Sequence, residues 1–448
     1  MRSWVAPLLL GCAAASSAAA QQPAPPKPAP REGRCRLEIV NVDRKGVVEA
    51  NTNYYGGGNV FLRCFGQKVS MKSDSVRYIG AGAGQPAIVY FIGNVLYQDT
   101  TMEMRARNAT YFQNGERWEA RDNVKTRNLE TGSTLDGPSL DYLRTAPGIR
   151  DTAEMYAVGR PTIHYVPKST DGTEEEPYVI IGDRVRMRGD DKLWAGGNVT
   201  VDRSDFSSKS DSLQLFSSDS GSGVLVGGEP VLKGLKRDTF ELHGTRIEFD
   251  LRQRKVTAVR ALGEGHAIRT DLDLTADTIH MSLPEEKLQQ TLAWGAAERA
   301  HAVGPSYEVR ADSLVIDTPE EKLYEVRGFG DGWMGAKPDS GTHERDWIAG
   351  DTVRALFVQR DSAGTEQTRI AQLEATGSGR TFYRGDAKRP GGPRPLNYSR
   401  ADHIVARMKD DEKGGVERVD LNGNVDGVQL DPAAASSAPG AAPAGRSP

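Results

Sequence analysis

A short sequence pattern that recurs along most of the chain constrains the fold more than any other feature. Its clearest copy is YEVRADSLVI, residues 307–316, in which apolar and charged residues alternate up to Ala311. This period of two is typical of a strand with one buried face. The apolar positions resume at Leu314, three residues later, so the buried set changes parity. A strand accommodates that slip by a bulge or a bend, which we place at Asp312.

Nine further copies extend the pattern over almost the whole chain. Bends are predicted in them at Asp74, Arg107, Pro138, Asp183, Asp211, Thr245, Asp277, Asp351 and Asp402. Successive bends are mostly 28 to 39 residues apart, with two longer gaps of 45 and 51 residues. Repetition at this period indicates units that cannot bury their apolar faces alone and must stack. The repeats therefore predict an all-β fold, an elongated and solenoid-like stack of bent strands in which the first halves of adjacent copies pair.

A second short element, Gly-Asn-Val or a close relative, lies between copies of the pattern. It begins at Gly58, Gly93, Asp122, Gly197 and Gly423. A glycine followed closely by a β-branched residue predicts a strand that restarts after a hairpin turn. Helix is scarce, because the main candidate, residues 284–292, fits a turn followed by a strand equally well.

The two ends of the chain differ in composition from the repeats. Residues 1–20 resemble a secretory signal, with a basic start, a short apolar run and a final run of alanines, which predicts export. The alternative is a lipoprotein signal in which Cys12 carries the lipid. Residues 21–34 are a proline-rich spacer, and residues 431–448 are an Ala/Pro-rich tail that we expect to be disordered.

The repeats occupy residues 35–430, either as one body or as two consecutive modules at roughly 35–165 and 178–430. No segment of this region approaches the run of about 18 apolar residues that a membrane helix needs. Lysine and arginine number 57 against 61 aspartates and glutamates, and the two signs are interspersed. Because no basic face is predicted, nucleic acid is not expected as a partner.

Two cysteines lie within the repeats, Cys35 and Cys64, and they flank the first predicted strands. An even number of cysteines in an exported chain predicts a disulfide between them. A zinc site is the weaker interpretation, because no histidine lies near either cysteine in the sequence.

Residues that could carry chemistry are few and widely spread. The histidines do not have the spacing of metal ligands. They are His164, His243, His266, His280, His301, His343 and His403. The acidic residues at the bends are replaced in some copies by arginine, proline or threonine. A bond from each acid to the backbone of its bend is therefore favoured over a catalytic or calcium-binding array. We predict no catalytic residues, no metal site and no cofactor, and we predict that the chain is not an enzyme.

An apolar stripe lies on the buried parity of the first half of each copy. Its clearest members are Met102, Met104, Phe240, Leu242, Leu272, Leu274, Tyr307 and Val309. Glu308 lies between the last two and is predicted to face solvent. One interpretation of the stripe is a filled structural core, and the other is an open apolar groove that holds lipid chains.

The combined pattern resembles a known family. LDLTADTIHM, residues 272–281, and residues 307–316 alternate with EARDNV, residues 119–124, as in the OstA-like family of periplasmic lipopolysaccharide-transport proteins and the N-terminal domain of their outer-membrane partner. The resemblance covers nearly all of residues 35–430. It implies a periplasmic β-jellyroll, open along one side, whose interior carries the acyl chains of lipopolysaccharide or a similar glycolipid. It also implies end-to-end stacking of strands on other components of the transport system.

Three classes of function follow from these observations. The first is a periplasmic lipid-binding bridge that carries acyl chains toward the outer membrane, with outer-membrane association or a lipid anchor as variants of its location. The second is a structural or adhesive β-solenoid with a filled core, which inward polar residues such as Ser208, Ser210 and Asn397 favour. The third, a polysaccharide-active β-helix enzyme, is weakest, because the acids are spread out and aromatic residues are only 7% of the chain.

Overall fold

The computed structural model of this chain describes most of the repeat region. The described residues are 34–48, 53–80, 87–167, 176–218, 220–235, 239–253, 255–297, 299–336, 345–362, 365–385, 387, 392, 394–409 and 415–431. The predicted signal with Cys12, the spacer up to residue 33 and the tail after residue 431 lie outside them.

Thirty strands in one hydrogen-bonded sheet make up the described fold, which confirms the predicted all-β class. The first fifteen are β1 (Leu37–Asn41), β2 (Arg44–Val48), β3 (Asn53–Cys64), β4 (Ser70–Ile79), β5 (Ile88–Gln98), β6 (Met102–Phe112), β7 (Arg117–Asn128), β8 (Thr134–Leu143), β9 (Glu154–Val158), β10 (Thr162–Tyr165), β11 (Tyr178–Ile181), β12 (Arg184–Arg188), β13 (Lys192–Asp202), β14 (Phe206–Phe216) and β15 (Ser222–Val226). The others are β16 (Val231–Gly234), β17 (Phe240–His243), β18 (Arg246–Arg252), β19 (Lys255–Arg269), β20 (Leu272–Ser282), β21 (Gln290–Trp294), β22 (Ala300–Val303), β23 (Tyr307–Ala311), β24 (Ser313–Asp317), β25 (Glu325–Ala336), β26 (Trp347–Ser362), β27 (Thr365–Arg384), β28 (Leu396–Met408), β29 (Val416–Asn422) and β30 (Asp426–Leu430).

Helix in the described ranges is limited to two single-turn 3-10 segments, Pro284–Glu286 and Pro319–Glu321. The first of them lies in the helix candidate at residues 284–292, and β21 starts inside the same stretch. That candidate is therefore a turn followed by a strand.

The strands follow one another as a continuous antiparallel meander. Eight bent strands are each divided into two short ones, such as β1 and β2, which both pair with β3, so the described chain makes twenty-two passes. β10 and β11 pair directly, and the sheet continues across the segment between residues 165 and 178. With strands about 4.8 Å apart, twenty-two passes extend on the order of 100 Å.

The bends divide the meander into two facing layers. We call the layer that holds the first half of each copy the first sheet, the other layer the second sheet, and the line of bends the corner. The opposite side, where the hairpins of the two sheets face each other, is the mouth. The prediction that the first halves of adjacent copies pair directly is wrong, because one strand lies between them: Met71 pairs with Tyr97, and Tyr97 pairs with Met104.

At seven bends the strand between two copies carries a bulge, and at others the intervening pass is divided into two short strands. Gly93 and Asn94 of β5 lie opposite the single residue Arg107 of β6, and both adopt left-handed φ angles of 77° and 47°. The side chain of Asn94 donates to the Asp74 carboxylate of β4 at 2.9 Å. The prediction that Gly-Asn-Val follows a hairpin is therefore wrong, because four of the five copies lie in the middle of a strand and the copy at Gly423 lies at the bend between β29 and β30.

The acidic residues at the bends bond mainly to the neighbouring strand. Equivalent pairs join Asp43 to Asn59 at 2.8 Å, Asp183 to Asn198 at 3.4 Å and Asp402 to Asn424 at 2.9 Å. At Asp277 the carboxylate accepts instead from backbone amides of the next pass, at 2.7 and 2.9 Å. The prediction that each acid bonds to the backbone of its own bend is therefore wrong, because these bonds cross to another strand. Asp43 lies at an additional bend that the sequence pattern does not predict.

Gly93→Ala is expected to destabilise passes three to five by about 2 kcal/mol, because a left-handed backbone disfavours a side chain. A Cβ atom would also lie 2.3 Å from the Asp74 carboxylate. Gly46→Ala is the control, since a Cβ there meets nothing within 4 Å. Hydrogen exchange of peptides spanning residues 70–98 measures the difference, and equal effects of the two changes would contradict this account of the bend.

Candidate functional site

The apolar interior between the two sheets is the feature that every pass shares. On the first sheet one inner residue from each of nineteen consecutive passes stands beside the next in cross-strand register. The row is Leu62, Met71, Tyr97, Met104, Thr126, Leu135, Ile163, Ile180, Val201, Ser208, Leu232, Leu242, Ala267, Leu274, Ala302, Val309, Met334, Ile348 and Thr381. All but three of these side chains are apolar, so the interior is continuous.

The structure places all eight stripe residues on this inner face. Met104, Leu242, Leu274 and Val309 belong to the row itself. Met102, Phe240, Leu272 and Tyr307 lie one inward position nearer the mouth. None of the eight is more than 8% exposed. In this conformation the stripe is packed as a core between the sheets.

The alternation predicts that Glu308 faces solvent, but in the structure its side chain is covered. It is 7% exposed, and its carboxylate accepts from the side chains of Arg310 and Arg345 and bonds to His301 at 3.0 Å. Burial alone would raise the pKa of Glu308, and the hydrogen bonds and positive charge of its partners lower it below the ordinary value. Removing Glu308 would leave two arginines without their partner.

Aromatic rings fill the interior of the first third of the body. Trp118 is fully buried, and its ring centroid lies 4.7 Å from that of Tyr97 and 4.8 Å from that of Tyr111. Burial raises the pKa of both tyrosines, so their hydroxyls are protonated donors at neutral pH. The Tyr97 hydroxyl donates to the carboxylate of Asp99 at 2.7 Å. This bond links the aromatic core to an acidic residue at the mouth.

A buried polar cluster closes the mouth at the N-terminal end. The Glu116 carboxylate, with no exposed surface, accepts from the Cys35 amide at 2.6 Å and from the Tyr111 hydroxyl at 2.8 Å. Arg144 lies 3.3 Å from the same carboxylate and donates to Gln67 at 2.7 Å. Glu116 and Arg144 belong to second-sheet hairpins, whereas Cys35 and Gln67 belong to the first-sheet side, so these bonds cross the mouth.

The disulfide predicted between Cys35 and Cys64 is present, with the two Cα atoms 4.9 Å apart. Both cysteines are 1% exposed. The bridge ties the residue before β1 to the end of β3 at the first-sheet side of the mouth. It therefore holds the Cys35 amide in place for its bond to Glu116.

Further bonds cross the mouth along the body. Tyr142 of the second sheet donates to Asp99 at 3.3 Å. Asn128 and Tyr165 of the first sheet donate to the side chain and the carbonyl of Asp190 at 2.8 and 2.6 Å.

One more contact crosses the mouth near the middle of the body. Arg203, on the hairpin between β13 and β14, lies 3.7 Å from Glu286 on the second-sheet side. Its guanidinium also donates to Tyr178 at 2.8 Å and pairs with Asp205. Side chains between residues 35 and 286 thus join the two sides of the mouth at several points.

The C-terminal end of the interior is less well covered. Ile370, Leu373, Val419 and Leu421 pack on the core but are only partly buried. Solvent therefore reaches the apolar interior more readily at this end than beneath the mouth contacts.

Among the described residues, the strands at both ends of the meander are paired on one side only, so each end presents a strand edge. β1 and β2 pair on one side with β3, and β29 and β30 pair on one side with β28. Ile39 and Val47 are 63% and 56% exposed on the first of these edges. Such edges can accept a strand from another chain.

Sequence reasoning located the stripe and the cysteines but missed the mouth cluster. Glu116 and Arg144 sit in hairpins 28 residues apart, and no periodic signal marks them. Within the described residues no group of three or more His, Cys, Asp or Glu side chains is arranged to hold a metal ion. Neither of the two short helices in the described ranges has the length that a membrane crossing requires.

No known family model and no curated protein matches this sequence.

Proposed function

We propose that this chain is a periplasmic lipid-binding bridge protein, as its resemblance to lipopolysaccharide-transport proteins implies. It carries acyl chains of lipopolysaccharide or a similar glycolipid between its two sheets toward the outer membrane. The observation that carries the proposal is the inner row of nineteen passes, an apolar path that spans the body and ends near two free edges. Each methylene group that leaves water for this path contributes about 0.8 kcal/mol.

The free edges support the part of the proposal that concerns partners. Strand addition at β1 and β2 or at β29 and β30 would extend both sheets and join the interior of this chain to that of a neighbour. The exposed apolar side chains on these edges would then be covered. We propose other components of the same transport system as these neighbours.

A filled structural solenoid is the second candidate, and the burial of the stripe favours it. Leu242, Leu274 and Val309 have no exposed surface, so lipid chains can occupy their positions only if the two sheets separate. Mouth contacts would have to break for that movement. Lipid capture at the stripe decides between the two candidates.

Photocrosslinking at position 274 is the main test. A photoreactive residue there is expected to capture lipopolysaccharide in the envelope of a bacterium that makes it, because the position faces the interior. The same residue at position 275, one step along β20 on the outward face, is the matched control and is expected to capture none. Leu242→Arg should abolish capture at position 274, since a charge in the path repels acyl chains.

Folding of the charged variants separates the candidates further. Leu274→Asp in a permanently closed core would unfold the neighbouring passes, whereas in a path that opens to water it would be tolerated. Thr275→Asp controls for the added charge. Variants that stay folded and lose lipid support the bridge, whereas unfolding together with no capture at any stripe position would leave the filled solenoid.

A further inference from the structure

A cavity of about 240 Å³ opens in the mouth between passes five and ten. It lies between two of the contacts that cross the mouth, Tyr142 to Asp99 on the N-terminal side and Asn128 to Asp190 on the C-terminal side. Side chains of both sheets line it, so it reaches from the surface into the interior.

The floor of the cavity is mostly apolar, and the buried residues Thr126 and Ser133 also line it. Its apolar residues are Met102, Leu135, Tyr142, Met155, Ile163 and Met187. All except Met155 are at most 6% exposed. Met102 belongs to the stripe, and Leu135 and Ile163 belong to the inner row. An alkyl chain that enters here therefore contacts the proposed lipid path directly.

The rim is polar but carries no positive charge. It consists of Thr101, Thr131, Thr145, Asp151, Thr152 and Asp190, and no lysine, arginine or histidine is among the described residues that line the cavity. Carboxylates accept hydrogen bonds from hydroxyl groups, and threonine hydroxyls both donate and accept. A phosphate or sulfate group at the rim would instead meet two carboxylates.

We infer that this cavity is a side port that binds a single alkyl chain with an uncharged polyhydroxyl head, the chain on the apolar floor and the head at the rim. The inference rests on the proposed function and adds to it an entry point and a ligand class. Size supports one chain: a cavity of about 150 Å³ holds benzene, and drug-sized ligands need about 300 Å³ or more. A lipid with several acyl chains would require the neighbouring mouth contacts to open.

Binding of three probes with the same ten-carbon chain tests the head group. Decyl maltoside, decyl phosphate and decyltrimethylammonium are titrated as monomers into the purified chain by calorimetry. We expect the maltoside to bind at least tenfold more tightly than the phosphate and no more weakly than the ammonium probe. Equal affinities, or tightest binding of the ammonium probe, would overturn the assignment of the head.

Two variants test the place of binding. Ala153 lines the cavity and is partly buried, so Ala153→Phe fills it and should weaken maltoside binding at least tenfold. Ala297→Phe, at an exposed position at the corner, is the control and should leave binding unchanged. Asp151→Lys, at an exposed rim position, should narrow the preference for maltoside over phosphate at least tenfold. Unchanged binding in both port variants would overturn the inference.

A photoreactive decyl maltoside keeps the test independent of the variants. With a diazirine on its chain, it should label peptides that contain Met102, Met155 or Met187 in the wild-type protein. Labelling at the port without lipid capture at position 274 would retain the port and remove the bridge function. Capture at position 274 without labelling at the port would retain the bridge and remove the port.

Discussion

Replacing Arg144 with methionine is expected to destabilise the N-terminal third of the fold by about 3 to 5 kcal/mol, since a buried charge loses its partner. Glu116 has no exposed surface, and Arg144 is the cation beside it, at 3.3 Å. Methionine preserves most of the apolar stem, so the loss reports charge and hydrogen bonding. Hydrogen exchange of amides in residues 110–120 should rise by at least a hundredfold, measured by mass spectrometry.

Arg117→Met provides the matched control. Arg117 pairs with Glu119 at 2.6 Å, but both side chains are partly exposed, so its removal should cost less than about 1 kcal/mol. Adding Glu116→Gln to Arg144→Met should recover part of the lost stability, because the buried carboxylate is then neutral. Equal effects of Arg144→Met and Arg117→Met, or no recovery in the double variant, would contradict the role given to the cluster.

Removing the Cys35 to Cys64 disulfide by a double change to alanine is expected to cost roughly 3 kcal/mol on the loop-entropy model. The bridge closes a loop with a sequence separation of 29 residues. Because the Cys35 amide also bonds to Glu116, this loss and that of Arg144→Met should not add. Urea denaturation of the N-terminal third, followed through Trp118, measures the single and combined variants.

Thiol titration checks the premise of that prediction. Oxidised protein that lacks residues 1–20 should give no free thiol, and two free thiols per chain would contradict the bridge. Cys64→Ala alone serves as a control that leaves one thiol at Cys35. Its stability should match that of the double variant, because either change opens the same loop.

The alternation of apolar residues was sufficient to predict the class of the fold and the inward face. A strand that buries one side needs a period of two, and Tyr307, Val309 and Ala311 satisfy it without help from distant residues. The parity slip before Leu314 predicted a bend for the same local reason. Burial of all eight stripe residues follows from that pattern.

The alternation of apolar residues does not determine which strands pair or in what register. Gly93 and Asn94 look like a turn in sequence, because left-handed residues commonly occupy hairpins. In the structure they form a bulge in the middle of β5. There the carboxylate of Asp74, on the preceding strand, accepts a hydrogen bond from the side-chain amide of Asn94. A Gly-Asn pair can therefore form either a hairpin turn or a bulge. The neighbouring strand, and not the pair itself, decides between them.

The sequence by itself determined the bent strand, its buried face, the number of repeated copies within about one, and the pairing of two cysteines. These properties depend on contacts between residues that are close in the chain or on a choice among very few candidates. Only the tertiary structure decided how the mouth is closed and where it opens. Glu116 meets Cys35 across 81 residues and Asn128 meets Asp190 across 62, and stacking of the passes brings each pair together.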